Sequence, residues 1–320
     1  MTRKATVSQL HRHEKYERLI AATAGLSPLP AAVAHPCDET SLRGAMDAGR
    51  QNMIDPILVG PRQRIIDLAR DCSIDLGDVE IVDVPHSVAA AETAVELVRT
   101  GRAELVMKGS LHSDELLSAV TNRETGLRTG RRISHVFVMD VPTHPQTLFI
   151  TDAAVNIAPD LMAKRDIIQN AIDLYAGLGL GVPKVAILSA VETVTPSIPS
   201  TIEAAALCKM ADRGQITGGV LDGPLAFDNA ISLEAARIKG IKSPVAGQAQ
   251  ILVVPDLEAG NMLAKNLTFL SGADAAGIVL GARVPVILTS RADNVRTRMA
   301  SCAVAMLLAH SRRAREPIRA

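Results

Sequence analysis

The chain has 320 residues, 48% of them hydrophobic and 21% charged, as in ordinary globular enzymes. This length exceeds that of one typical compact core, so we expect two domains. The 34 basic and 34 acidic residues balance, so no net field attracts nucleic acid or a membrane surface. Only 2% of the residues are aromatic, which argues against stacking platforms for single-stranded nucleic acid.

Targeting signals are not apparent in the sequence. The first residues, MTRKATVSQLHRHEKYERL, carry charges with no apolar stretch behind them, so we expect no secretory leader. No apolar run reaches the roughly 20 residues that a membrane-spanning helix needs. The four cysteines are far apart and form no CxxC pair, which fits reduced thiols and a cytoplasmic protein.

In the first part of the chain, short apolar runs that end near Gly or Pro alternate with helix-length stretches. The runs predict strands at residues 33–35, 56–60, 79–84 and 105–109. The stretches predict helices at 38–52 and 87–100, opened by Asp38 and Ser87 as N-caps. This alternation predicts a doubly wound α/β domain.

A second series of the same kind follows. Its predicted strands lie at residues 185–190, 218–222, 251–255 and 284–289, and its predicted helices include 161–175 and 260–270. Between the two series, extended runs flank residues 142–145 (PTHP) and predict a hairpin or a crossover. We place the domain boundary near residue 150. The segment 293–310 repeats apolar residues at helical spacing on one face.

The stretch VPVILTSRADNVRTRMA, residues 284–300, joins a predicted strand to a predicted helix. Ser290 and Arg291 would then lie at the carboxyl edge of a sheet, where α/β domains bind ligands. The helix dipole, its free amides and the guanidinium favour an anion. Arg291 would hold a phosphoryl group and Ser290 would donate to an oxyanion. Alternatively, Ser290 and Asp293 only cap the helix, and Arg291 is solvated.

A second strand-to-helix junction is LVMKGSLHSDELL, residues 105–117. In the predicted geometry Lys108, His112 and Ser113 face one bound phosphate. The spacing GxxxxGK[ST] is absent, so this is not a P-loop. A solvated lysine and a surface histidine are the alternative interpretation.

Two further stretches carry candidate binding residues. The segment NRETGLRTGRRISH, residues 122–135, has the densest positive charge and includes Arg128 and Arg131, which suit a nucleotide phosphate or a diphosphate. In ILVVPDLEAGNMLAKNL, Asp256 and Glu258 follow a strand, and Gly260 and Asn261 open a helix. The carboxylates would bind hydroxyls, orient partners or hold a metal, and Asn261 is a further candidate for substrate binding. Solvated arginines and an ordinary acidic first helical turn are the alternatives.

Taken together and in this order, these stretches resemble the phosphate acetyltransferase and phosphate butyryltransferase family. The resemblance covers nearly the whole chain, from about residue 16 to residue 308. It rests on six motifs in register: GLRTGRRISHVFVMDVP, ITDAAVNIAPD, VAILSAVE, LDGPLAFDNAIS, VVPDLEAGNMLAKNL and LTSRAD.

The resemblance implies two doubly wound α/β domains with a cleft between them, similar to isocitrate and isopropylmalate dehydrogenases. The first domain would comprise residues 1–150 plus 294–320, and the second residues 151–293. The implied reaction converts acyl-CoA and phosphate reversibly into CoA and a short acyl phosphate. It needs no cofactor or metal, and coenzyme A, inorganic phosphate and acyl phosphate are its substrates. A homodimer is usual for this fold.

Family roles transfer by matching position. Ser290 and Arg291 correspond to the Ser-Arg pair at the reacting centre, and Ser113 matches a hydroxyl position in the first-domain phosphate loop. The acetate-type catalytic aspartate would fall at Thr297. The SRAD form instead puts an acid at Asp293, as in the butyrate-type branch, so Asp293 is the expected base. The GLRTG stretch is also similar to the acyltransferase half of fusions with an enoyl-CoA hydratase.

Two other functions remain open. A metal- and NAD-dependent dehydrogenase of the hydroxythreonine-phosphate type resembles this family in fold, and it needs a cluster of His and Asp ligands. Seven of the eight histidines precede residue 145, and only His310 follows. The second half of the chain therefore offers few histidines for such a metal site. A non-catalytic acyl-CoA-binding protein is the other alternative, and an assay separates it from an enzyme.

Overall fold

The predicted α/β class is confirmed by the computed structural model, which describes residues 14–289 and 295–314. Its strands are β1 Leu29–Ala34, β2 Ile54–Gly60, β3 Glu80–Asp83, β4 Leu105–Lys108, β5 Ser134–Asp140, β6 Leu148–Thr151, β7 Lys184–Leu188, β8 Val220–Leu225, β9 Ile251–Val253, β10 Asp274–Leu280 and β11 Val286–Ile287. Its helices are α1 Glu14–Ala21, α2 Glu39–Arg50, α3 Arg62–Asp71, α4 Ser87–Arg99, α5 Ser113–Thr121, α6 Leu161–Gly177, α7 Pro199–Asp212, α8 Phe227–Ile231, α9 Leu233–Ile238, α10 Leu257–Ser271 and α11 Val295–Ala314.

The described strands form one mixed sheet with the order β3-β2-β1-β4-β11-β10-β5-β6-β9-β7-β8. Strands β1 to β4 and β11 are parallel to one another, and so are β6 to β9. Three antiparallel pairings, β11 with β10, β10 with β5 and β5 with β6, separate these two sections. The two sections therefore run in opposite directions, and their carboxyl ends lie at opposite edges of the sheet.

Each of the eight strands predicted from apolar runs overlaps an observed strand, and the extended runs around residues 142–145 form the hairpin β5–β6. Strand β10 was not predicted. Its sequence, DAAGIVL, contains three small residues, and Gly277 interrupts the pattern expected of a strand. Seven backbone pairs with β5 nevertheless hold it in the middle of the sheet.

The two predicted helix caps differ in outcome. Asp38 caps α2, because its carboxylate accepts a hydrogen bond from the Ser41 backbone N–H over 2.7 Å. Ser87 is the first residue of α4 and does not cap it. The cap is His86, whose ring Nδ1 accepts from the Ala89 N–H over 3.2 Å. This prediction was wrong because Ser is the commoner cap, whereas a histidine nitrogen serves the same purpose here.

Helix α11 is more deeply buried than its apolar stripe predicted. Every residue from Thr297 to Met306 is buried, which is typical of a helix enclosed on all sides. It packs on β10 and β11 and also contacts α1, α2 and α6. The sheet face beneath it holds Val136, Val138 and Ile278 within the same apolar cluster.

Helix α1 is attached to the central strands by buried polar contacts. The Tyr16 hydroxyl donates to the Val138 carbonyl oxygen over 2.6 Å and accepts from the Ala276 N–H. Asp140 accepts hydrogen bonds from the backbone N–H groups of Lys15 and Tyr16 and pairs with Lys15 Nζ at 2.8 Å. Val138 and Ala276 are partners across β5 and β10, so one hydroxyl ties α1 to both strands.

We predict that Tyr16→Phe lowers the free energy of unfolding by about 1–3 kcal/mol, because two buried backbone groups lose their partner. Denaturant titration measures the change. Tyr175→Phe is the matched control, since the half-buried Tyr175 hydroxyl makes no hydrogen bond among the described residues and its loss should cost under about 0.5 kcal/mol. Equal midpoints for the two variants would contradict this role for Tyr16.

Candidate active site

The backbone of the turn after β4 packs closely against the end of β1. A Cβ at Gly109 would lie 2.4 Å from the Ala34 carbonyl oxygen and 2.5 Å from that of His35, so glycine is required for this approach. Ser110 Oγ donates to the His35 carbonyl oxygen over 2.9 Å and lies 3.1 Å from His35 Nδ1. These contacts fix the chain between β4 and α5.

The first turn of α5 is held by Glu115. Its carboxylate accepts from the Ser87 hydroxyl and from the His112 backbone N–H, each over 2.7 Å. The Ser87 bond, followed by the His112 bond, holds the pKa of Glu115 below its usual value. Because α5 starts here, His112 and Ser113 lie at the carboxyl edge of β4, close in the chain to Lys108.

A cavity of about 880 Å³ lies over the central strands. Its floor includes His135 and Phe137 of β5 and Ala275 of β10, whose side chains alternate with those that face α11. One wall comes from the chain after β4, and the facing wall comes from α10. Besides His135, its polar lining residues are Lys108, His112, Ser113, Asn261, Lys265, Thr268, Asp274, Thr289 and Thr297.

Four of the residues predicted to bind substrate line this cavity. They are Lys108, His112, Ser113 and Asn261. Lys108 and Asn261 come from the two oppositely directed sections of the sheet, since Lys108 ends β4 and Asn261 lies in the helix after β9. Asn261 Nδ2 donates to the Ala153 carbonyl oxygen over 3.3 Å.

Three predicted residues do not line the cavity. Arg128 is exposed and forms an isolated β-bridge with Ala282, and Arg131 forms an exposed ion pair with Asp173. Asp256 is the N-cap of α10 and accepts from the Ala259 N–H over 2.8 Å. The arginines lie near the start of β5, and sequence spacing alone did not show that this end of the strand points away from Lys108.

The three residues predicted to be catalytic, Ser290, Arg291 and Asp293, lie outside the described residues. Both flanking elements reach the cavity, because Thr289 follows β11 and Thr297 belongs to the first turn of α11.

Two buried cationic side chains converge on Thr289. Lys108 is 4% exposed, and its Nζ donates to the Thr289 carbonyl oxygen over 3.4 Å. Arg298, 2% exposed, donates from Nη1 to Thr289 Oγ1 over 2.9 Å. Gly44 of α2 leaves room for Arg298, since a Cβ there would lie 2.8 Å from the arginine Cδ. This concentration of positive charge beside a cavity favours an anionic ligand.

Sequence reasoning missed several lining residues. His135 and Phe137 belong to the quoted motif ISHVFVMD, and their alternation along a strand was the available signal for a shared face. Asp274 lies in the strand that was not predicted. Arg298, which contacts the lining residue Thr289 but does not itself line the cavity, was also missed, because α11 was predicted from one apolar stripe and only its buried position shows that this charge faces inward.

The motif ITDAAVNIAPD forms the turn behind the cavity. Asp152 accepts hydrogen bonds from the Ala154 and Val155 N–H groups, each over 3.0 Å, and from Asn156. Burial raises the pKa of Asp152, and these hydrogen bonds act in the opposite direction. The turn presents Ala154 to the cavity, so the motif shapes the wall opposite Lys108.

Within residues 14–289 and 295–314, no group of three or more His, Cys, Asp or Glu side chains could hold a metal ion. Among the helices of the same ranges, none combines the length and apolarity of a bilayer-spanning segment.

Comparisons with known proteins identify the family. The family model described as "Phosphate acetyl/butaryl transferase" matches residues 86–306. The chain belongs to this family. A phosphate acetyltransferase of Rhizobium meliloti is 73% identical over 94% of this chain and 95% of its own length. A phosphate butyryltransferase of Clostridium acetobutylicum is 46% identical over 87% of this chain and 92% of its own.

A solved structure agrees with this assignment. The branched-chain phosphotransacylase from Enterococcus faecalis V583 is 31% identical, with a TM-score of 0.76 over 88% of this chain and 99% of that protein. The names of these family members cover acetyl, butyryl and branched-chain groups, so membership alone does not set the acyl chain.

We predict that Lys108→Met weakens the binding of inorganic phosphate about ten- to a hundredfold, because a hydrogen bond to a charged group is worth about 1.5–3 kcal/mol. Isothermal titration calorimetry gives the dissociation constant. Lys242→Met, which removes an exposed lysine outside the cavity lining, should bind phosphate as the wild type does. Identical constants for both variants would exclude Lys108 from the anion site.

Proposed function

We propose that the protein is a phosphate acyltransferase that moves a short acyl group reversibly between coenzyme A and inorganic phosphate. The supporting observation is the cavity, where Lys108, His112 and Ser113 face Asn261 and Lys265 of α10 across an apolar floor. The cationic walls suit phosphate and the phosphates of coenzyme A, and the floor suits an acyl chain. Membership of the family supports the same reaction.

The reaction is a direct displacement. In one direction a phosphate oxygen attacks the thioester carbonyl carbon, the C–S bond breaks, and coenzyme A leaves as a thiolate that takes up a proton. In the other direction a base removes the thiol proton, the thiolate attacks the acyl carbon of the acyl phosphate, and phosphate leaves. No oxidation state changes, so no redox cofactor is needed. Binding both substrates in one cavity lowers the activation free energy, because it fixes their orientation relative to each other.

We assign the catalytic roles to Ser290, Arg291 and Asp293. Arg291 binds the phosphoryl group, Ser290 donates to the carbonyl oxygen as charge develops on it, and Asp293 is the base for the thiol. Support comes from the LTSRAD motif and from Thr289 and Thr297, which flank residues 290–294 in the chain and both line the cavity.

The finer architecture is part of the proposal. Residues 1–150 plus 294–320 form one doubly wound domain, residues 151–293 form the other, and the cavity is the cleft between them, as in isocitrate and isopropylmalate dehydrogenases. The contacts of α11 with α1 and α2 support this division, although α11 also packs on β10, β11 and α6, which belong to residues 151–293.

The protein also acts in the cytoplasm as a homodimer. Four free cysteines support a reducing compartment. Exposed apolar side chains on α10, Met262 at 65% and Phe269 at 77%, support an interface between subunits.

The activity is tested by thiol release with acetyl-, propionyl- and butyryl-CoA in the presence of phosphate. We expect phosphate-dependent release of free CoA and formation of acyl phosphate. Stabilisation by CoA without any thiol release would favour a non-catalytic acyl-CoA-binding protein. Stabilisation by NAD with a divalent metal, but not by CoA, would favour the dehydrogenase.

We predict that Asp293→Asn folds normally, binds CoA and loses about 10²–10⁴-fold in turnover, the usual contribution of a positioned base. Asparagine keeps an oxygen that can cap a helix and removes the charge, so this variant separates the two roles. Asp293→Ala is the companion variant. Near-normal turnover of Asp293→Asn, together with lower stability of Asp293→Ala, would leave Asp293 as a cap only. Steady-state kinetics and thermal melting measure the two effects.

A further inference from the structure

His135 is a polar side chain among apolar neighbours on the cavity floor. It precedes Phe137 by two residues on β5, so both side chains lie on one face of the sheet. The His135 ring is only 1% exposed and meets the Phe137 ring edge-on, with 4.4 Å between their centroids. Leu111, Ala275 and Leu288 line the same cavity.

One nitrogen of this ring has no internal partner. His135 Nδ1 is buried and makes no hydrogen bond to any residue that the structure describes. Buried polar atoms in folded proteins are normally satisfied, and leaving one unpaired destabilises the fold. An apolar side chain of similar size would avoid that penalty. A polar ring at this position therefore points to a partner that comes from outside the chain.

The ring is neutral and belongs to the cavity lining. Burial lowers the pKa of His135 to about 3, so the imidazole carries one N–H donor and one acceptor nitrogen. A half-turn about its outer bond exchanges Nδ1 with a carbon of similar size. Gly277 lies beside it on β10, and a Cβ there would come within 3.0 Å of His135 Nε2. The Leu288 carbonyl oxygen would lie 2.4 Å from the same Cβ, so the backbone of β10 and β11 packs closely around the imidazole.

The proposed substrate carries a carbonyl oxygen that can accept a hydrogen bond at the cavity floor. Phosphate and the phosphates of coenzyme A are anions, and the walls that carry Lys108 and Lys265 suit them. The acyl chain suits the apolar floor. The carbonyl group joins these two parts, so its oxygen is the polar atom that reaches the floor, where it needs a neutral donor.

We propose that His135 is the acyl-binding residue of the cavity, whose ring N–H donates a hydrogen bond to the carbonyl oxygen of the acyl group while Phe137 contacts the chain. The inference rests on the proposed acyl transfer and deepens it. The same bond strengthens as negative charge develops on that oxygen during attack. Because the ring is neutral, it orients the carbonyl without exchanging a proton.

The kinetic test compares His135→Leu with His135→Asn. We expect His135→Leu to lose about 10²–10³-fold in kcat with acetyl- and butyryl-CoA, as for the loss of one donor to a developing oxyanion. Its KM for phosphate should not change, and its melting temperature should be equal to or above that of the wild type. His135→Asn restores a donor near Nδ1 and should recover kcat to within about tenfold of the wild type.

Controls separate this inference from the proposed function. His144→Leu replaces a histidine of the β5–β6 turn that does not line the cavity, and it should keep wild-type kcat. A wild-type protein inactive with every acyl-CoA would remove the proposed function. An active wild type together with near-normal kcat in His135→Leu would overturn only the role of His135. Equal losses of kcat and melting temperature in both His135 variants would make the residue structural and also overturn it.

A spectroscopic test does not depend on a stable variant. The ring nitrogens of His135 in the ¹⁵N-histidine-labelled wild-type protein should show a neutral imidazole and should shift when acetyl phosphate binds. Inorganic phosphate alone and CoA alone lack an acyl carbonyl, so they should leave the resonances in place. Resonances that do not respond to acetyl phosphate, or that respond equally to phosphate alone, would contradict the assignment.

Discussion

The reversal of strand direction at the centre of the sheet determines where chemistry can occur. The parallel sections on either side of β5 and β10 run in opposite directions, so their carboxyl ends supply residues from opposite edges. Lys108 arrives from one edge, and Ala154 and Asn261 arrive from the other. In one continuous parallel sheet the strand ends would share a single edge. The antiparallel strands become the floor of a cavity with two dissimilar walls.

Close backbone approach holds the end of β11 at this cavity. A Cβ at Gly277 would lie 2.4 Å from the Leu288 carbonyl oxygen, so glycine lets β11 lie tightly against β10. Thr289 follows directly and receives hydrogen bonds from Lys108 and Arg298. Taking two cations out of water is unfavourable unless charge and hydrogen bonding compensate them. Both cations contact Thr289, which lines the cavity and precedes the segment 290–294 in the chain.

Local patterns predicted the α/β class, most strands and four of the cavity residues, because apolar runs and strand-to-helix junctions are local signals. The direction of each section relative to the other is a property of long-range pairing, which no short motif carries. Arg128 and Arg131 were predicted to bind a nucleotide phosphate or a diphosphate because of their local charge density, and the fold puts them near the start of β5, outside the cavity lining. Strand β10 was missed for a related reason: its Ala-Gly composition is weak locally, and pairing with β5 stabilises it.

Under the proposed function, the division of the cavity would let one set of motifs serve different acyl groups. The charged walls would bind phosphate and coenzyme A, which are common to every acyl substrate of the reaction. The floor around Phe137, Ala275 and Leu288 would contact the acyl chain, which varies. Each buried methylene is worth about 0.8 kcal/mol, so the two methylenes that separate acetyl from butyryl amount to about 1.6 kcal/mol, or roughly fifteenfold. One altered floor side chain can cancel or reverse so small a preference. Acyl selectivity can therefore diverge between relatives while the motifs that define the family stay the same.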